Sequence, residues 1–169
     1  MKKTGLAMAA LGALLHASVA AAPPPAESLA LKLSSWGKPL FDWTVNRSGL
    51  SSYTASRPAP SGNFRDYDLV TRAFRVSRAD FVRLETLLAP GRRFAGRTMA
   101  CDARATDFPY GRIAWRASGR TSELKFDLGC RSAEAGPVHS GLESAQDLVE
   151  RLAAKAPIVE VREVREGSR

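Results

Sequence analysis

The sequence predicts an α+β domain: a mainly antiparallel sheet of about five to six strands, two helices packed on one face, and one disulfide. Three observations carry this expectation. Residues 112–117 and 121–128 alternate apolar and polar side chains on either side of Ser118-Gly119-Arg120, the pattern of a half-buried hairpin. Beyond Ser77 and again beyond Ser140, the apolar residues change from a period of two to a helical spacing. Cys101 and Cys130 are the only cysteines. The composition agrees: 169 residues, 44% hydrophobic and 25% charged, fit one globular domain and exclude collagen-like, coiled-coil and disordered chains.

The chain opens with Met1-Lys2-Lys3, an uncharged run from Gly5 to Val19, and the small-x-small pattern Ser18-Val19-Ala20. Residues 1–20 therefore read as a signal peptide, cleaved after Ala20 or Ala21. The run is shorter than the ~20 apolar residues needed to span a bilayer, and no later stretch is as apolar, so no transmembrane segment is expected in the mature chain. Residues 21–35 read as an Ala/Pro-rich linker that finishes, through the alternation of Leu29, Leu31 and Leu33, in a short edge strand. Residues 36–169 are then the single folded domain.

Within it, Leu40 to Val45 and Leu50 to Thr54 flank the turn-rich Asn46-Arg47-Ser48-Gly49 and predict a hairpin. Tyr67 to Val76 is β-prone. Ser77, with Asp80 three residues on, caps a helix whose Phe81, Leu84 and Leu88 share a face and which Pro90-Gly91 stops. The stretch from Pro90 to Pro109 is a loop long enough to hide another strand. In the next hairpin, a Ser118-Gly119 turn sets Ile113 against Leu124 and Trp115 against Ser122 on the core face. Arg112, Arg116, Glu123, Lys125 and Asp127 then lie on the wet face, and the same alternation buries Cys130. Ser140-Gly141-Leu142-Glu143 reads as a capping box that opens a helix with an apolar stripe of Leu142, Ala145, Leu148, Val149 and Leu152, ending before Pro157. Ile158, Val159 and Val161, set among charges, predict a last strand at a sheet edge. The final six elements follow the split βαβ order of ferredoxin-like folds.

An even cysteine pair in an exported domain is most simply a disulfide, and closing a loop of about 30 residues stabilises by about 3 to 4 kcal/mol. A redox or nucleophilic cysteine is disfavoured: there is no Cys-x-x-Cys, and His139 is the only histidine beyond the leader. No metal site and no cofactor site can be written from these residues. Gly91-Arg92-Arg93-Phe94-Ala95-Gly96-Arg97-Thr98 mimics a P-loop with Arg in place of Lys, yet it follows a helix instead of opening one, so no ATP site is expected. Asp102 and Asp107, either side of Arg104, are the only appealing carboxylate pair for acid/base catalysis, and ordinary turn formation explains them as well. His139 reads as a residue flanking a helix start.

Removing Lys2 and Lys3 lowers the formal charge from +8 to about +6. The surplus is concentrated between Arg72 and Arg131 and disappears in the tail. Nucleic-acid binding would need exposed aromatics interleaved with the cations, but Trp115 and Phe126 fall on the core face, so no nucleic-acid partner is expected. These observations point to an exported, soluble, non-catalytic binding or accessory protein of a bacterial envelope, such as an inhibitor or immunity-type protein. Its basic recognition surface would be Arg92, Arg93, Arg97, Arg104, Arg112 and Arg116, and its partner an envelope protein or an anionic envelope component. The periplasm is the expected compartment, with the extracellular space as the alternative. A small exported hydrolase using Asp102 and Asp107, or a purely structural envelope protein, are the competing readings.

Overall fold

The computed structural model describes residues 26–166; the leader expected over 1–20 lies outside them. Seven strands form one antiparallel sheet: β1 (Ser28–Ser35), β2 (Lys38–Asn46), β3 (Leu50–Pro58), β4 (Tyr67–Arg75), β6 (Tyr110–Ala117), β7 (Arg120–Asp127) and β9 (Ile158–Val164). Their spatial order is β7-β6-β1-β2-β3-β4-β9. A two-residue strand β5 (Ala103–Arg104) pairs with β8 (Cys130–Arg131), and the helices are α1 (Arg78–Arg92) and α2 (Ala135–Ala153).

The register explains the single core. Leu124, Ile113, Leu31, Trp43 and Tyr53 stand side by side across five strands, and the neighbouring row runs Trp115, Leu29, Val45, Ser51, Phe74. Because side chains alternate along each strand, both rows project to one face. That face packs on Phe81, Leu84 and Leu88 of α1 and on Val138, Leu142, Ala145, Leu148 and Val149 of α2, all in one buried cluster. Trp43 and Trp115 are each 1% exposed. A polar pin fastens α2 over the middle strands: Trp43 Nε1 donates to Gln146 Oε1 (2.9 Å), Gln146 Nε2 donates to Glu150 (2.8 Å), and the Tyr53 hydroxyl donates to Glu150 (2.8 Å). In this pin the Trp43 N–H, the Gln146 amide and the Tyr53 hydroxyl each have a partner, as burial requires.

Several expectations are corrected. The strand carrying Leu29, Leu31 and Leu33 is interior, between β6 and β2, not an edge. It is therefore a seventh strand of the sheet, one beyond the expected range. Its alternation describes one buried face, which edge and interior strands of a one-sided sheet share. The split βαβ order does not produce a ferredoxin-like sheet. β4 does pair with β9, but the β6–β7 hairpin joins β1 at the far side, with β1, β2 and β3 in between. Pro90 lies inside the last turn of α1 and does not stop it. So close to the end, its missing N–H forfeits about one hydrogen bond, to the Thr86 carbonyl.

The helix expected from Ser140 begins at Ala135. Ser132 Oγ accepts the Ala135 N–H (3.0 Å), and Pro137 occupies the first turn, where its missing N–H would have no intrahelical partner in any case. Ser140 and Glu143 are thus interior to α2, and His139 is a helical residue, not one flanking its start. The loop after Pro90 does contain the short strand β5. Two local signals hold: Ser118 and Gly119 form the two-residue connection with positive φ at each (50° and 72°), and Ser77 Oγ accepts the Asp80 N–H (3.1 Å).

Candidate functional site

Cys101 and Cys130 are bonded, with Cα atoms 5.4 Å apart. The bridge and the β5–β8 pairing together fasten the loop that follows α1 onto the end of β7: Asp102 N–H donates to Arg131 O (3.0 Å) and Ala105 N–H to Gly129 O (2.9 Å). Gly129 has no room for a side chain here, since a Cβ would stand 2.2 Å from the Ala105 carbonyl oxygen.

The six arginines expected to form one surface occupy three places around the β6–β7 hairpin. Arg112 and Arg116 project from β6 to the open face of the sheet, opposite the helices, as the alternation requires. Lys32 and Lys125 stand directly beside Arg112 on the flanking strands, so three cations form a row across β1, β6 and β7 at spacings of about 5 Å. Asp42 ends the row beside Lys32, and Glu123 pairs diagonally with Arg112 (3.7 Å). Arg104 sits on the β5–β8 ribbon and pairs with Asp127 (3.6 Å).

Arg92, Arg93 and Arg97 come from the last turn of α1 and the turn after it. Gly96 N–H donates to Glu123 O (2.8 Å), which lays this turn along the outer edge of β7 and blunts it. Arg93 stacks on Phe94 (4.7 Å), and Arg97 donates to the Arg93 carbonyl. On the helix side of the hairpin, Arg92 and Arg120 line a groove of about 660 Å³ together with Ser118, Thr121 and Ser122. None of its lining residues is acidic. Trp115 also lines it, and its Nε1 is buried with no hydrogen-bond partner among the described residues. Glu27 stands at the hairpin tip, where Oε1 accepts the Ser118 N–H (3.0 Å). Arginine side chains, hydroxyls and an indole N–H make a donor-rich surface, the chemistry that receives an anionic group.

Sequence reasoning missed Lys32 and Arg120 in this surface. Lys32 is legible as the exposed residue between Leu31 and Leu33, but its place beside Arg112 depends on β1 pairing with β6. Asp102 and Asp107 are both exposed, Asp107 at φ 67°, and neither carboxylate has a hydrogen bond or ion pair among the described residues. His139 lies elsewhere, on α2, where burial first and the Arg131 charge second hold its proton affinity below that of a free imidazole. Among the described residues no group of three or more His, Cys, Asp or Glu side chains could hold a metal ion, and no helix is long and apolar enough to cross a membrane.

No family model matches the chain, and no curated protein or solved structure matches it either.

Proposed function

We propose that this protein is an exported, non-catalytic binding or accessory protein of the bacterial envelope that grips an anionic group of a partner protein at the β6–β7 hairpin. The observation that carries the reading is the acid-free groove between the end of α1 and the hairpin, with Arg92 and Arg120 on its walls. The cation row of Lys32, Arg112 and Lys125 extends the same charge to the opposite face of the hairpin, so an acidic partner is attracted from either side. The disulfide-fastened loop beside it loses less freedom on binding than a free loop would. Export rests on the N-terminal reading and on a disulfide of the kind an oxidising compartment maintains, and the periplasm is the compartment we favour.

The test is capture from envelope extract with the processed domain as bait. We expect a stoichiometric protein partner whose capture weakens as salt rises and is lost with Arg120→Glu or Arg97→Glu, while Arg83→Glu on the outer face of α1 has no effect. Turnover of a substrate that Asp102→Ala and Asp107→Ala each abolish, with unchanged melting, would overturn the reading in favour of a hydrolase. Intact mass of the exported protein without reductant should start near Ala21 or Ala22 and fall two protons below the dithiol.

A further inference from the structure

A second cavity, of about 390 Å³, lies between the N-terminal half of α2 and the sheet, away from the arginine groove. Its walls are Leu31, Leu33, Phe41, Phe126, Leu128 and Leu142. Phe126, Gly111, Leu33 and Phe41 form one cross-strand row on the core face, and the place a Gly111 side chain would take is filled by the Phe126 ring and the Lys32 backbone. A Cβ there would stand 2.0 Å from the Lys32 carbonyl oxygen and 2.9 Å from Phe126 Cζ. The pocket is partly open to solvent, and its volume is in the range of small-molecule sites.

The polar groups at its border are few. Gln146 is fully engaged in the pin to Trp43 and Glu150. Arg131 gives one N–H to the Leu128 carbonyl (2.8 Å) and stacks on Phe108 (5.0 Å), which leaves further guanidinium N–H groups for a ligand. His139 Nε2 is buried without a partner among the described residues. Glu143 also lines the cavity and has no hydrogen bond or ion pair among them. At the same end of the sheet, where β1 turns into β2 and β6 begins, the chain exposes Trp36 (73%), Phe64 (69%), Tyr110 and Phe108. Lys38 lies over Phe64 and Tyr67, and its Nζ donates to the Phe64 carbonyl (3.2 Å). Aromatic rings interleaved with cations are the surface that amphiphiles and lipid headgroups meet.

We infer that this cavity binds the single acyl chain of an anionic amphiphile, with the chain between α2 and the sheet and the head at Arg131 and His139. The inference goes beyond the anion-gripping reading and does not depend on it. The probes are dodecanoate, dodecanol and a lysophospholipid with a twelve-carbon chain, each used below its micelle concentration and followed by native mass spectrometry and calorimetry. We expect saturable binding of one dodecanoate per protein chain. Leu128→Trp, which fills the cavity from a half-buried wall position, should weaken it by roughly tenfold or more. Arg131→Gln should weaken dodecanoate while leaving dodecanol unchanged, and Glu143→Gln should tighten dodecanoate. Tighter binding of the lysophospholipid than of dodecanoate would assign the chain to a membrane lipid, and the reverse order to a free fatty acid. Absence of saturation with all three probes would overturn the inference. So would a Leu128→Trp protein that melts like the parent and binds dodecanoate equally well.

Discussion

Gly141 packs against the backbone of α1: a Cβ there would stand 2.2 Å from the carbonyl oxygen of Leu87. Alanine is the better helix former by up to about 1 kcal/mol, so propensity alone predicts that Gly141→Ala stabilises. Contact with rigid backbone opposes this, at a typical overpacking cost of about 1 to 3 kcal/mol. The expected result is a lower melting temperature. Gly136, in the first turn of the same helix, has nothing within 4 Å of where a Cβ would stand, so Gly136→Ala should raise the melting temperature slightly. The two substitutions are identical in chemistry and opposite in expected sign, and thermal melts of both proteins check the helix–helix contact directly. The sequence marks both glycines alike, because the neighbour that distinguishes them lies 54 residues away in the chain, at Leu87.

Among the elements, β9 has the weakest cover. It closes the sheet against β4, yet Ile158, Val159 and Val161 remain exposed. Charged contacts hold its end: Glu166 N–H donates to Asp66 (2.9 Å), Arg65 pairs with Glu166, and Arg165 pairs with Asp68 (2.8 Å). The Asp66 carboxyl is held below the usual carboxylate range by the Glu166 N–H first and the Ser61 hydroxyl second, and Glu166 by Arg65 and then Asn63. Depressed carboxylate values mean that this stabilisation is complete above the ordinary carboxylate range and is lost as pH falls through the lowered folded values. Hydrogen exchange, corrected for intrinsic rates, should therefore show β9 amides losing protection on acidification before those of β1 and β6. Asp66→Asn should flatten that pH dependence.

The same scale shows where sequence patterns suffice. The β6–β7 hairpin, its Ser118-Gly119 turn and the α1 cap are legible because each depends on residues only a few positions apart. The start of α2 is not, because Ser140-x-x-Glu143 imitates a capping box, while the helix opens without a side-chain cap at Glu134, with Ser132 Oγ accepting the Ala135 N–H and Pro137, which looks like a breaker, inside its first turn.

Across the whole molecule, the Cys101–Cys130 bridge closes a separation of 29 residues and fastens the loop between α1 and β6 to the end of β7. Removing it with Cys130→Ala should cost about 3 kcal/mol, mostly by releasing the unfolded chain, and lower the melting temperature by on the order of 10 °C. An unchanged melt would assign the stability to the seven-stranded core alone. The candidate surface depends on this whole-molecule arrangement more than any helix or strand does. Alternation alone puts Arg112 and Arg116 on the wet face of their hairpin, but the six arginines expected on one surface are spread over that face, the ribbon, and the end of α1 with the turn along the edge of β7.

By itself the sequence determined the α+β class, the disulfide, most elements and the inward face of each strand, because these follow from spacing and side-chain chemistry along short stretches. Only the tertiary structure decided that β1 is interior, that β1, β2 and β3 separate the β6–β7 hairpin from β4, and that Lys32 joins Arg112 and Lys125. Strand order is a choice among pairings of similar local energy, and it is settled by how all the apolar faces can be covered together by two helices.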